Sequence, residues 1–269
     1  MNIKMIISDL DGTLFNSDEE GYDISTELIE RIDDFKKSGK IFTIATGRPE
    51  ESSLEVIKKL NVDVPYIACN GAKILDRYGK TLYSNTFPLK LWVDFLERIQ
   101  EVDPTTIFYN DGQVFCMKYT ERMVIFEKKE LVKTRVVDKE FLKSDLNVNK
   151  LLIIGNVEKI KGYWNKLDES FKNQYRYIIS EDDYFEIVKK NISKGNALKK
   201  LKKYLGIRDD EVVSIGNHMN DKELIEESFV GVAVANAVEG LKEVADFVTE
   251  GEYEQGVIEV IKKFSNLLS

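Results

Sequence analysis

Two aspartates one residue apart follow an apolar run near the start of the chain. The stretch MIISDLDGTLFNSD, residues 5 to 18, places Asp9 and Asp11 just after Met5-Ile6-Ile7, and a Gly-Thr turn follows them. Two like charges at the end of a buried strand repel each other unless a cation stands beside them. Mg²⁺ meets that need through oxygen ligands and usually keeps several waters. The stretch therefore predicts a site for a hard divalent cation.

Further residues suit a phosphate group at the same place. Thr46 and Gly47 follow the apolar run IFTIAT, and Lys194 opens a later helical pattern in ISKGNAL. Their hydroxyl, backbone N–H groups and ammonium are donors that phosphate oxygens accept. With phosphate bound there, Asp9 can attack phosphorus, and Asp11 can serve as acid and base. The predicted chemistry is phosphoryl transfer.

The elements that position these residues alternate between apolar runs and helical patterns. This alternation predicts parallel strands with crossover helices, hence an α/β sheet covered on both faces. In such sheets, ligands bind beyond the carboxyl ends of the strands. Strands are predicted at 3–8, 41–46, 66–69, 211–216, 230–235 and 246–249, and helices near 25–38, 50–60, 194–205 and 220–227, with a short helix before 246 and a last one to about 264.

The middle of the chain has a different, α+β pattern. Pro88 suits the first turn of a helix whose apolar face holds Leu91, Phe95, Leu96 and Ile99. Two hairpins are predicted, around Asp111-Gly112 and around Glu181, Asp182 and Asp183, with a strand at 149–155 and a helix near 157–171 between them. The change of pattern places the domain boundaries near 84 and 189. We therefore expect a discontinuous core, 1–84 with 189–269, and an inserted domain at 85–188.

Four motifs together resemble the haloacid dehalogenase (HAD) superfamily. They are DLDGT, TGR, the lysine at a helix start and GNHMND, in the order and strand positions of that superfamily. The NGA at Asn70, the segment YFEIVKKNISKGNAL and the inserted domain are similar to the Cof-type phosphatases, which carry a C2-type cap. The resemblance covers nearly the entire chain. It implies a Rossmann-like parallel-sheet core with an inserted α+β cap, and Mg²⁺-dependent phosphoryl transfer through an aspartyl-phosphate.

The resemblance also implies a role for each motif residue. Asp9 is the expected nucleophile and a metal ligand, and Asp11 donates a proton to the leaving oxygen, later activates water, and binds the metal through its carbonyl. The expected phosphate and substrate ligands are the Leu10 N–H, Thr46, Gly47, Arg48, Lys194 and Asn220. Asp221 is expected to orient Lys194 or a metal-bound water, which places it among the candidate metal residues.

Asn217 departs from the family pattern, in which this position usually carries an aspartate that binds the metal. An amide oxygen can still coordinate Mg²⁺, but one negative charge is missing. Weakened activity, a specialised metal site and an engineered substitution are the three hypotheses that follow. The expected metal set is therefore Asp9, Asp11, Asn217 and Asp221.

Ordinary structural roles compete with some of these assignments. The aspartates after the first strand fit an Asp-Gly turn, but a turn explains one of them and not both. Arg48 has Glu50 and Glu51 as nearby partners for an ion pair. Cys69 and His218 raise the alternative of a Cys/His nucleophilic pair, although no oxyanion element accompanies them. The aromatic residues Trp92, Phe95, Phe108, Tyr109 and Phe115 suit a cap core better than a base-stacking platform.

Composition limits the classes of partner. The 269 residues have a formal net charge of -8, which disfavours a general role in binding nucleic acid or anionic membranes. The two cysteines lie far apart without metal-type spacing, and no apolar run has the length of a signal sequence or membrane span. A cytoplasmic location is expected.

The leading function is hydrolysis of a small phosphorylated metabolite, such as a sugar phosphate, a nucleotide or a phosphorylated cofactor, with cap loops that select the substrate. Two alternatives stay open. One is a phosphomutase or phosphotransferase, which conserves total ester phosphate. The other is a phosphometabolite-binding sensor that has lost turnover, a consequence that the amide of Asn217 would allow.

Overall fold

The structure, a computed structural model, describes residues 2–16, 24–110, 112–130 and 132–265. The chain divides into two compact units. The core unit comprises Met1–Tyr83 and Ser193–Ser269, and the inserted unit comprises Ser84–Ile192.

The helices and strands follow in chain order. The first part of the chain contains β1 (Met5–Ser8), α1 (Thr26–Lys37), β2 (Ile41–Ile44), α2 (Glu50–Lys59), β3 (Tyr66–Ala68), β4 (Lys73–Leu75) and β5 (Thr81–Ser84), whose last residue is the first of the inserted unit. The middle of the chain contains β6 (Phe87–Pro88), α3 (Val93–Arg98), β7 (Thr105–Asn110), β8 (Gln113–Cys116), α4 (Glu121–Glu130), β9 (Thr134–Val136), α5 (Lys139–Leu142), β10 (Asn147–Val148), β11 (Leu151–Ile154), α6 (Val157–Trp164), α7 (Glu169–Lys172), β12 (Tyr175–Glu181) and β13 (Tyr184–Lys189). The last segment contains α8 (Lys194–Leu205), β14 (Val212–Gly216), α9 (Lys222–Glu226), β15 (Val230–Ala233), α10 (Glu239–Lys242), β16 (Phe247–Val248) and α11 (Tyr253–Ser265).

The core unit is built on a parallel sheet, which confirms the predicted α/β class. Its strand order is β16-β15-β14-β1-β2, and every pair in it is parallel. All four residues of β1 are buried, because helices cover both faces of the sheet. The predicted strand at 66–69 exists as β3, but it pairs antiparallel with β4 and joins the parallel sheet by a single bridge between Ala45 and Ile67.

The inserted unit is built on a mostly antiparallel sheet with the order β12-β13-β11-β7-β8-β9. The first predicted hairpin is confirmed by the pairing of β7 with β8, in which Asn110 lies opposite Gln113. Gly112 adopts a φ of 78° in its turn, whereas Asp111 lies outside the described residues. The second hairpin is confirmed by the pairing of β12 with β13.

The helix predicted from Pro88 is wrong at its start. Pro88 lies in β6, where it pairs with Asn147, and a 3₁₀ turn follows before α3 begins at Val93. Leu91 falls in that turn and is 48% exposed, so it is not part of the apolar face. The predicted partners Phe95, Leu96 and Ile99 are buried as expected.

The helix predicted near 157–171 is also wrong, because the structure divides it. Helix α6 ends at Trp164, and the carboxylate of Asp168 accepts the Ser170 N–H to begin α7. An aspartate at a helix N-cap favours a new start over continuation. The sequence interpretation also missed α4, in which Met123 and Phe126 are buried among many charged residues.

The aromatic residues singled out from the sequence are core residues. Trp92 makes edge contacts with Phe95 and Tyr175 and stacks on Trp164, with ring centroids 6.1 Å apart. The predicted aromatic set is at most 5% exposed. This burial fits a packed core, because a base-stacking surface requires open ring faces. Within the described residues, no helix has the length and apolar character that a bilayer crossing requires.

Candidate active site

The carboxyl ends of β14, β1 and β2 lie side by side, because these strands are neighbours in the parallel sheet. The pairing continues past the strands: the Asp9 N–H donates to the Ile215 carbonyl at 2.9 Å, and the Ala45 N–H donates to the Ser8 carbonyl at 2.9 Å. The residues that follow each strand therefore meet at one edge of the sheet.

A tight turn follows Asp9. The Thr13 N–H donates to the Leu10 carbonyl at 3.1 Å, and the Gly12 N–H donates to the Phe15 carbonyl at 2.9 Å. Gly12 has a φ of +76°, and a Cβ there would lie 2.2 Å from the amide of Asn217. A side chain at Gly12 is thus excluded by both backbone conformation and space.

Asp9 is buried in a polar environment. Its Oδ1 lies 2.6 Å from Lys194 Nζ, and the Thr13 hydroxyl donates to its Oδ2 at 3.2 Å. Burial raises the pKa of Asp9 to about 7, with further increases from the charges of Asp221 and Asp11, whereas Lys194 lowers it. A carboxylate with these surroundings favours a nearby cation, because a cation stabilises its ionised form.

Lys194 links two carboxylates at the N-terminus of α8. Its Nζ lies 2.6 Å from Asp9 Oδ1 and 2.6 Å from Asp221 Oδ1, and its side chain is fully buried. Burial alone would lower the pKa of Lys194, but Asp221 and Asp9 outweigh burial and raise it. The other oxygen of Asp221 accepts the N–H groups of Asn217 and His218, at 3.0 and 3.3 Å. The carboxylate of Asp221 is therefore fixed toward Lys194.

Arg48 forms two parallel hydrogen bonds with Asp11. Arg48 Nε donates to Asp11 Oδ2 at 2.7 Å, and Nη2 donates to Oδ1 at 2.5 Å. The guanidinium also lies over the ring of Phe15, 5.1 Å from its centroid. Glu50, one of the partners considered for Arg48 from the sequence, is paired with Lys73. The bidentate geometry orients the Asp11 side chain, which stays 23% exposed.

The amide of Asn217 contacts the two aspartates. One terminal amide atom lies 2.9 Å from the Asp11 carbonyl oxygen, 2.9 Å from Thr13 Oγ1 and 3.1 Å from Asp9 Oδ2. Because carbonyl and carboxylate oxygens only accept, that atom is the amide nitrogen. Asn217 thus donates hydrogen bonds at the point where these oxygens converge.

The oxygens around the Asn217 amide suit a hard cation, although they carry little negative charge. Among residues 2–16, 24–110, 112–130 and 132–265, no group of three or more His, Cys, Asp or Glu side chains is arranged to hold a metal. The converging donors are the Asp9 carboxylate and the Asp11 carbonyl, and rotation of the Asn217 amide would add a third oxygen. Mg²⁺ commonly binds through only one or two carboxylates plus waters, so this donor set suits it.

The remaining predicted residues lie on the same side of the sheet. Thr46 is fully buried, and its Oγ1 accepts the Arg48 N–H at 3.0 Å. Asn220 Nδ2 donates to Asn70 Oδ1 at 3.1 Å. Asn70 had no assigned role in the sequence interpretation, although its position after a strand was a usable signal. Leu10, which forms the turn after Asp9, and Gly47, which lies against Asn70, complete the predicted set.

Two supporting residues were missed from the sequence. Thr13 contacts both Asp9 and Asn217, and the threonine of the Asp-Gly-Thr turn is the signal that could have identified it. Asn236 Nδ2 donates to the Gly12 carbonyl at 2.8 Å, and its Oδ1 accepts the Tyr253 N–H at 2.9 Å. Asn236 follows β15, and no pattern around it marked it as a support for the first turn.

Comparison with known proteins identifies the family. The family model described as haloacid dehalogenase-like hydrolase matches residues 6–261. Phosphatase YwpJ of Bacillus subtilis is 25% identical over 97% of this chain and 99% of its own length. The 5-amino-6-(5-phospho-D-ribitylamino)uracil phosphatase YitU of the same organism is 26% identical over 98% of each chain. The crystal structure of TM0651 from Thermotoga maritima covers 97% of each chain with a TM-score of 0.80 and 29% identity. The chain belongs to the haloacid dehalogenase-like hydrolases, as a Cof-type phosphatase.

Proposed function

We propose that the chain is a Mg²⁺-dependent phosphatase that hydrolyses a small phosphorylated metabolite through an aspartyl-phosphate on Asp9. The observation that supports this most is the buried carboxylate of Asp9, held by Lys194 and Thr13 beside the Asp11 turn. These contacts fix the direction of the Asp9 carboxylate, which suits a nucleophile. The scattered cysteines of the sequence suit a cytoplasmic location, which we also propose.

In the first step, an oxygen of Asp9 forms a bond to phosphorus while the bond from phosphorus to the leaving oxygen breaks. Asp11 enters this step protonated and gives that proton to the leaving oxygen. In the second step, Asp11 takes a proton from water, the water oxygen bonds to phosphorus, and the bond from phosphorus to Asp9 breaks. Free phosphate and the regenerated carboxylate of Asp9 result. The bidentate hydrogen bonds of Arg48 hold Asp11 in its ionised form, the form that takes the proton from water in the second step.

The charge at the site supports the proposed need for a cation. The carboxylates of Asp9, Asp11 and Asp221 face the cations Lys194 and Arg48, so the cluster carries one formal negative charge. The net negative charge of this cluster repels a phosphate anion. Mg²⁺, when bound, offsets the charge of the attacking carboxylate and of the phosphoryl oxygens. We propose that Asp9, the Asp11 carbonyl and the Asn217 side-chain oxygen hold it, and that Asp221 positions Lys194.

The phosphate ligands in this proposal come from three parts of the core unit. They are the Leu10 N–H, the Thr46 hydroxyl with the Gly47 N–H, and the side chains of Lys194 and Asn220. The name of the relative YitU contains a phosphorylated ribityl group, which places phosphorylated sugars and sugar alcohols first among the substrate classes to examine.

A screen of phosphorylated metabolites with phosphate detection tests this proposal. The panel contains sugar phosphates, sugar-alcohol phosphates, nucleotides and phosphorylated cofactors, each assayed at several Mg²⁺ concentrations. The parent protein is expected to release phosphate and Asp9→Asn to release none, because an amide is a poor nucleophile at phosphorus. Rapid quench is expected to trap a covalent phosphate on the parent alone.

Each other outcome points to a different function. Substantial turnover by Asp9→Asn would remove the nucleophile assignment. Conserved total ester phosphate would indicate a phosphotransferase. Binding of a phosphometabolite, seen by calorimetry without phosphate release at millimolar Mg²⁺, would indicate a protein that has lost turnover.

A further inference from the structure

Asn70 lies in an unusual backbone segment directly after β3. Cys69 and Asn70 have φ values of 52° and 53°, and Gly71 has a φ of 97°, so three successive residues lie in the left-handed region. Only glycine enters that region without cost, and asparagine tolerates it better than most side chains. Strain of this kind persists where the surrounding structure fixes it, commonly at functional sites.

The backbone of this segment runs along the proposed phosphate loop. The Asn70 N–H donates to the Thr46 carbonyl at 3.0 Å, and the Cys69 N–H donates to the Arg48 carbonyl at 2.9 Å. These two bonds flank Gly47, whose N–H is a proposed phosphate ligand. The segment after β3 is therefore hydrogen-bonded to the loop after β2 on both sides of Gly47.

The side chain of Asn70 links that loop to a second proposed phosphate ligand. Asn70 is fully buried, and its Oδ1 accepts from Asn220 Nδ2 at 3.1 Å. A Cβ at Gly47 would lie 3.2 Å from the Asn70 amide, so the amide packs directly on the Gly47 backbone. One side chain thus touches both segments.

The side-chain amide of Asn220 can form more hydrogen bonds than the one it makes with Asn70. One of its two N–H bonds is directed to Asn70, and the other is available to a ligand. Its Oδ1 is buried and has no hydrogen-bond partner within the described part of the chain. A buried polar atom without a partner is costly, so a water or a ligand group is expected to complete its bonding.

We propose that Asn70 is a positioning residue for the phosphate site, one that fixes the Asn220 amide relative to the Gly47 backbone. This inference rests on the proposed function, because the ligand it serves is the phosphoryl group. Asn70 does not itself act in the chemistry. It sets the distance between two groups of donors that belong to separate parts of the sequence.

Asn70→Gly tests this proposal, because glycine accepts the left-handed backbone while the Asn70 side chain, with its amide, is removed. The KM for the phosphate ester and the inhibition constant of inorganic phosphate are both expected to rise about tenfold, the effect of one lost hydrogen bond. The kcat is expected to fall less. Asn61→Gly is the matched control, since Asn61 is exposed, has a φ of 52°, and lies at the end of α2.

The outcomes distinguish failure of the proposed function from failure of the proposed role of Asn70. A parent protein that releases no phosphate from the panel contradicts the proposed function. An active parent whose Asn70→Gly variant keeps the KM and the phosphate inhibition constant contradicts the role of Asn70, whatever happens to the melting temperature.

If Asn70→Gly does not fold, Asn70→Ala decides. It removes the acceptor for Asn220 without adding a charge, so weaker binding of inorganic phosphate by calorimetry is expected. Unchanged phosphate binding by that variant would overturn the proposal.

Discussion

At the residue scale, Asp11 is a carboxylate that its neighbour Arg48 orients. Its carboxylate is hydrogen-bonded to Arg48 and remains 23% exposed, so Asp11 is more accessible than Asp9. We expect Asp11→Asn to lose hydrolysis of an alkyl phosphate more severely than hydrolysis of an activated aryl phosphate, because only the poor leaving group needs the proton. Steady-state rates on the two substrates measure the difference. Equal losses would show a role limited to structure or metal binding.

Asn217 links the two aspartates through a neutral donor. Asn217→Asp is expected to lower the Mg²⁺ concentration for half-maximal activity about tenfold, if the new ligand contributes about 1.4 kcal/mol. The same change removes the donor within 3.1 Å of Asp9 Oδ2, so the metal-free variant is expected to melt below the parent.

Melting temperatures over a Mg²⁺ titration check both effects of this substitution. Without Mg²⁺, Asn217→Asp is expected to have a lower melting temperature than the parent. As Mg²⁺ is added, its melting temperature is expected to rise further than that of the parent. Asn61→Asp, at an exposed position, is the control for the added charge. Superimposed titration curves would place position 217 outside the metal site.

The titration of Asp9 gives the metal-free protein a pH dependence. Burial, followed by Asp221 and Asp11, raises the pKa of Asp9 from 3.8 to about 7. Between these values the native protein keeps a proton that the unfolded chain has released, so this group's contribution to the free energy of unfolding falls as pH rises. The contribution is complete below about pH 4 and lost above about pH 7.

Urea unfolding in chelator at about pH 5 and about pH 8 measures this contribution. The parent is expected to lose more stability between the two pH values than Asp9→Asn, since the amide does not titrate there. Subtracting the two proteins removes the contribution of groups that do not interact with Asp9. Identical losses would contradict the raised pKa.

At the element scale, the sequence predicted the core unit better than the inserted unit. Strand β1 and helix α8 were recognisable because a buried apolar run and a Ser193 N-cap are local signals. The strand at Pro88 depends on tertiary pairing, and the division of the helix depends on the N-cap of Asp168; the periodicity of apolar residues reports neither.

The candidate site shows the same division between local and tertiary signals. Asp9 and Asp11 stood out by type and spacing after a predicted strand. Which groups they contact did not follow from sequence: Arg48 pairs with Asp11, and Asn217 donates to oxygens from both sides of the turn. Those contacts depend on the meeting of distant strands, so only the fold reveals them.

At the scale of the whole molecule, the residues of each hydrophobic cluster in the described part of the chain belong either to the core unit or to the inserted unit. The clusters around Ile6 and Met5 lie in the core unit, and those around Phe108 and Ile107 lie in the inserted unit. Leu96→Ala in α3 is expected to cost about 2–5 kcal/mol. Because its cluster ends within the inserted unit, hydrogen exchange is expected to quicken in β7, β11 and β13 and to stay slow in β1 and β14.

Leu28→Ala, in the core unit, is the matched control and is expected to give the reverse pattern. Its side chain is fully buried, like that of Leu96. Uniform acceleration throughout the chain by either variant would indicate that the two units unfold as one.

The sheet order has a consequence for synthesis on the ribosome. Strand β1 gains β2 on one side early, but its other partner, β14, begins only at Val212. At a translation rate of about 5–20 residues per second, the free edge of β1 waits roughly ten to thirty seconds for β14. During that interval the nascent chain carries an apolar strand with an open edge, the kind of surface that chaperones shield from aggregation. The inserted unit emerges whole in the meantime, so all the strands of its sheet are available before Asp9 meets Lys194.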